Sequence, residues 1–134
     1  MSYGTALVDT IQSSTTGTPT QFNDGSGTQI GTLCRAWVNF AGNTTTPSAR
    51  ASFNVSSISY VSSGVYIINF STALTDANYA IVGTGQRDSN NTGNLNIFGS
   101  SSYNSLTTTS AKIVGYDNAN SQVSLITMCI AVFR

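Results

Sequence analysis

Few side chains in this chain could carry chemistry. Its 134 residues include no His and no Glu, only five Asp, four Arg, one Lys and two Cys. Without His the commonest general base and metal ligand is missing. Acid–base pairs would have to come from Asp9, Asp24, Asp76, Asp88 and Asp117. A glycosidase holds two carboxyls roughly 5–10 Å apart, and nothing in the spacing brings two of these together within one subunit. Asp24 in Asp24-Gly25-Ser26-Gly27 and Asp117 in Asp117-Asn118-Ala119-Asn120 read as turn formers. Asp76, in Leu74-Thr75-Asp76-Ala77-Asn78-Tyr79, reads as a cap or Asx-turn. Cys34 and Cys129 have no base partner and sit inside apolar runs, so both are expected as reduced core residues. A Ser–Lys pair built on Lys112 has no supporting context. There is no Cys/His cluster for zinc, and a calcium site at Asp24 or over Arg87–Asn91 is the weaker reading. The expectation is a protein without catalytic residues, cofactor or metal.

Composition narrows the partners. Ser, Thr and Asn supply 52 residues, charged residues only 7%, and the formal net charge is zero. Five scattered cations do not make the basic patch that displaces counterions from nucleic acid. A neutral surface also lacks the repulsion that keeps subunits apart, which suits a protein built into an assembly. Residues 2–5, Ser-Tyr-Gly-Thr, show neither the basic n-region nor the apolar h-region of a signal peptide. The longest apolar stretch, Leu125–Phe133, is interrupted by Thr127 and falls far short of the roughly 20 residues of a membrane helix. Synthesis in a cytoplasm and no membrane insertion are expected. The Asn-x-Ser/Thr matches are those a Ser/Thr/Asn-rich chain produces by chance.

The elements that would hold these residues are strands. Period-2 alternation and β-branched or aromatic runs mark 34–40, 50–58, 65–70, 79–84, 94–99, 111–116 and 122–133. Ser62-Ser63-Gly64 and Asp117–Asn120 read as tight hairpin connections. No helix pattern appears. The expected fold is all-β, an antiparallel sandwich or small barrel of jelly-roll type spanning 34–134.

Residues 1–33 differ in character. Ala6–Ile11 could form one short strand, and 13–32 is rich in Thr, Gly and Ser. This leader is either flexible or an assembly arm, with Leu7, Ile11 and Phe22 as the residues it would bury.

Two strands are apolar on both faces. In the 65–70 run Val65 and Ile67 alternate with Tyr66, Ile68 and Phe70. In the last strand Ile126, Met128, Ile130 and Val132 oppose Val123, Leu125, Cys129, Ala131 and Phe133. Either such a strand is covered on both sides within the subunit or it forms an oligomer seam. The seam is the favoured expectation, through Ile67, Ile126, Met128, Ile130 and Val132.

Several blocks resemble a known family. Arg35-Ala36-Trp37-Val38-Asn39-Phe40 and Arg50-Ala51-Ser52-Phe53-Asn54-Val55-Ser56-Ser57-Ile58 resemble the "RAWVNF…RASFNVSSI" block of bacteriophage tail-fibre and fibre-like virion structural proteins. Tyr66–Tyr79 is similar to their "YTVNFTTAMPDANY" element, with Thr75 in place of the usual Pro, and Val8–Thr15 adds a further match. The loop Ala41–Ser48 departs from the shorter Gly/Thr run of that family. The resemblance implies a β-rich homotrimer located in the virion and carries no catalytic motif. The partners it implies are the chain itself, other virion proteins of fibre, collar or capsid, and a host surface glycan. Loop residues Arg87, Asp88, Asn90, Asn91, Tyr103 and Asn104 are the candidate glycan or receptor contacts. A head decoration (cement) protein held by its leader and a free-standing lectin are the alternative roles.

Overall fold

The computed structural model describes residues 8–12, 14, 20–87, 105–117, 119 and 121–134. Among the described residues there are nine strands: β1 (Phe22–Asn23), β2 (Gln29–Gly31), β3 (Cys34–Phe40), β4 (Ala49–Phe53), β5 (Val55–Ser62), β6 (Val65–Phe70), β7 (Ala80–Gln86), β8 (Ser110–Val114) and β9 (Thr127–Phe133). The chain divides into two compact units, Met1–Leu33 and Cys34–Arg134.

In the first unit β1 and β2 pair around the Asp24–Gly27 turn. The Asp24 carboxylate accepts from the amides of Ser26 and Thr28, both at 2.9 Å, the Asx-type bonding that its position predicts. Residues 8–11 form no strand, unlike the expectation for Ala6–Ile11.

The second unit is an open antiparallel sandwich rather than a closed barrel. One sheet runs β4-β3-β9-β7 and the other β5-β6-β8. Its core follows from alternation. Ala36, Val38 and Phe40 of β3 and Met128, Ile130 and Val132 of β9 point inward from the first sheet. Tyr66, Ile68 and Phe70 of β6 and Ala111 and Ile113 of β8 meet them from the second. An edge-to-face ring pair joins the layers, Phe40–Tyr66 at 5.3 Å between centroids, and a second, Tyr60–Tyr66 at 5.9 Å, lies within the second sheet.

This packing corrects the seam expectation for three residues. Met128, Ile130 and Val132 are all less than 5% exposed within a single chain. The facing sheet of the same subunit already supplies the apolar cover that a neighbour was expected to give. The start of β6 is also covered within the chain, with Val65 and Tyr66 both fully buried. There Gly115 and Ser124 bond to the β5–β6 hairpin: the Gly115 amide donates to Gly64 O at 2.8 Å and Ser124 Oγ accepts from the Gly64 amide at 3.1 Å. Gly64 has φ +76°, and a Cβ there would lie 2.6 Å from Val123 O, so the hairpin signal at 62–64 needs its glycine twice over. Ile67, between Ser59 and Lys112 on the outer side of the second sheet, and Ile126 are half-buried and remain outside the core cluster.

The run expected as one strand over 50–58 is two. Asn54 adopts φ +54° and breaks it, sending the chain from the first sheet into the second. Its side chain holds the corner, donating to Arg35 O at 3.0 Å and Thr72 O at 3.1 Å and accepting from the Thr72 amide at 2.7 Å. The last strand begins at Thr127 rather than 122, with Gln122 in an isolated bridge to Tyr116. The strand expected at 94–99 lies outside the described residues.

Candidate functional site

The two outward faces of the sandwich differ chemically. On the three-stranded sheet the Asn69 amide donates to Ser57 Oγ at 3.0 Å and Ser59 Oγ at 3.1 Å, a polar lattice suited to water. The outer face of the four-stranded sheet is apolar along one line. Cross-strand register places Phe53 of β4 opposite Trp37 of β3, Trp37 opposite Ala131 of β9, and Ala131 opposite Val82 of β7. Phe53 and Val82 are each 54% exposed and Trp37 is 40% exposed. Each such half-exposed side chain forgoes roughly 1 kcal/mol of apolar burial. A contiguous exposed band of this kind marks an interaction surface more often than scattered single residues do.

A second line, Asn39, Cys129 and Thr84, runs beside it. Both β-bulges of this sheet place arginine at the extra residue. Between Cys34 and Ala36 the register with β9 skips Arg35, and between Asn39 and Phe40 the register with β4 skips Arg50. A bulge re-aims the side chain it carries. The Arg50 guanidinium donates to Asn39 Oδ1 at 3.0 Å, Thr127 Oγ1 at 3.3 Å and Ile126 O at 3.0 Å, all neutral acceptors. None of the four strands contains an acidic residue.

The cysteines were expected in the core, and both lie half-buried outside the core cluster. Cys129 points to the outer face, where its sulfur accepts from the Asn39 amide at 3.2 Å. Cys34 pairs in register with Phe133, four residues along β9 from Cys129. That spacing is roughly 13 Å, beyond disulfide reach, and both are free thiols.

Of the candidate glycan contacts, only Arg87 is described. It is engaged, its Nη1 donating to Asp117 Oδ2 at 3.3 Å. Asp117 is buried, and its Oδ1 accepts from the amides of Ala119 and Ser121, both at 2.9 Å, in the turn role its sequence implies. Asp88, Asn90, Asn91, Tyr103 and Asn104 lie outside the described residues. Thr44 and Thr46 bond one another within their own loop. A shallow cleft of about 290 Å³ lies between Pro47–Ala49 and Val55–Ile58, lined by serines and small apolar groups.

The carboxylates stay apart in role. Asp76 binds Arg134 through both oxygens, at 2.9 Å to Nε and 2.5 Å to Nη2. That guanidinium, with the Asn78 amide, holds the Asp76 carboxyl below the usual carboxylate range. Burial pushes the hydroxyls of Tyr66 and Tyr79 upward. Among the described residues no three His, Cys, Asp or Glu gather as a metal site. Of the leader residues, Ile11 and Phe22 are exposed, while Leu7 lies outside the described residues.

Sequence gave one clue to the apolar band, Trp37 on the polar phase of an alternating strand. Phe53 and Val82 join it only through register between strands. Comparison with family models, with curated proteins and with solved structures returns no match.

Proposed function

We propose that this chain is a non-enzymatic bacteriophage virion structural protein, a homotrimeric fibre-type knob that takes part in host attachment. The resemblance of its Arg35–Phe40, Arg50–Ile58 and Tyr66–Tyr79 blocks to fibre proteins supports the virion setting. The observation that carries the assembly role is the exposed Phe53–Trp37–Ala131–Val82 band on a sandwich whose own core is already complete. A neutral surface with few charges offers little resistance to packing copies side by side. Partners on this reading are further copies and a fibre, collar or capsid protein.

The exposed leader residues Val8, Ile11 and Phe22 favour a second reading, a head decoration protein clamped by that segment. Gold-labelled antibody on purified infectious particles tests both. Label at the tail or its fibres supports host attachment, and label over the head replaces it with decoration. Infectious particles that carry none of the protein would falsify the virion reading.

A further inference from the structure

Resting on the assembly reading above, we propose that the outer face of the four-stranded sheet receives the leader of a second copy, residues 8–33. The two surfaces are complementary in both chemistries. The face offers the Phe53, Trp37 and Val82 band with Arg35 and Arg50 at its two bulges and no acid in any of its strands. The leader offers exposed Val8, Ile11, Phe22, Ile30 and Leu33. Its charges are Asp9 and Asp24, with no Lys or Arg in residues 1–33.

The ionic accounting points the same way. Among the described residues the ion pairs are Arg87–Asp117 and Arg134–Asp76. Neither arginine of the face and neither aspartate of the leader belongs to one of them. A carboxylate brought to Arg50 would replace neutral acceptors by a charge-assisted partner. The opposite face of the sandwich sets Ile67 and Lys112 beside a serine and asparagine lattice and has no aromatic residue in line with them.

Because the donated segment and the receiving face differ, the contact is heterologous. Each copy gives one leader and accepts one, and such contacts close into a ring where the rotation between copies closes and run on as a filament where it does not. The trimer proposed above is one such ring.

The test uses the full-length chain in two isotopic forms, mixed and re-equilibrated, with a photo-crosslinking residue installed at position 82. Cross-linked peptides joining position 82 of one isotope to residues 8–33 of the other are expected. Links to the leader of the same chain only, or links that avoid the leader, overturn the proposal. As a second measurement, Val82→Asp and Ile11→Asp, both at exposed positions, are each expected to weaken self-association about tenfold by sedimentation. The double variant should lose no more than either alone, because the two residues serve one contact. Strictly additive losses, or a wild-type chain that stays monomeric at every concentration, also overturn it. Protein found on virions without the cross-link refutes this contact and leaves the virion role intact. Cross-linked copies that never label a virion support the contact and refute the role.

Discussion

Asn54 shows how much one residue can decide here. Its positive φ is unfavourable for most L-residues and tolerated by Asn, and its amide satisfies carbonyls on two neighbouring segments. Asn54→Ala is expected to cost about 2–3 kcal/mol from backbone strain and unsatisfied carbonyls together. Asn54→Gly keeps the conformation and should cost less, measured as urea midpoints at constant m-value. Equal losses would show that the backbone angle is not what Asn54 contributes. Tyr66 makes a second case. Its buried hydroxyl donates to Gly42 O and lies 3.3 Å from Ser124 Oγ, and burial raises its pKa. The folded state thus favours the neutral phenol. That stability is full below the ordinary tyrosine value of about 10 and is lost as pH rises beyond it. Tyr66→Phe should lower stability at neutral pH by about 1–2 kcal/mol and reduce the alkaline loss, with Tyr79 sustaining the remainder. Melting curves between about pH 8 and 11 would reveal an unchanged slope if the phenol is not responsible.

At the scale of elements, β7 and β9 place apolar residues on opposite sides with opposite consequences. Gly83 faces Ile130 in register, so Val82 is outside and Ile130 inside. Ile130→Asp buries a charge without a partner and should prevent folding, whereas Val82→Asp should leave the melting temperature within a few degrees of wild type. Similar unfolding by both variants would mean that the outer band is structural. The end of β9 is tied by Arg134 to Asp76 in the segment before β7. Because the Asp76 pKa is lowered on folding, the pair's contribution is present above the unfolded carboxylate value near pH 4 and fades as pH falls through the lowered one. The pair is exposed to solvent and screened, so the effect is small. Asp76→Asn should flatten the acid limb of the stability curve, seen as a smaller change in melting temperature between about pH 5 and 2. The strands themselves were legible where an apolar or alternating run is bounded by turn residues: 34–40 and 65–70 match their expected bounds. The 50–58 run was not, since Asn54 fits a strand pattern while occupying a corner.

For the whole molecule, the decisive contrast lies between its two outer faces. One sets Ile67 and Lys112 in a hydroxyl and amide lattice; the other is a line of exposed apolar side chains flanked by arginines that hold no ion pair among the described residues. A sandwich with a complete core leaves that second face for association, and the homotrimer we propose should appear as a single species of three chains in native mass spectrometry at micromolar concentration. Sulfate is expected to strengthen it and sub-denaturing urea to weaken it, since apolar burial responds in those directions. The reverse response would assign association to the charged groups.

Alternation, composition and turn chemistry are local properties, and they are what the amino-acid sequence determined by itself: an all-β chain, its glycine and aspartate turns, and a leader unlike the remainder. Two-sided apolar strands defeated the same reasoning. Whether Met128, Ile130 and Val132 meet a facing sheet or a neighbouring subunit depends on which strands lie across from them, and that pairing joins segments some 60–90 residues apart in the chain. Only the tertiary structure decided it, by closing the second sheet over those residues and leaving Trp37, Phe53 and Val82 aligned on the other side.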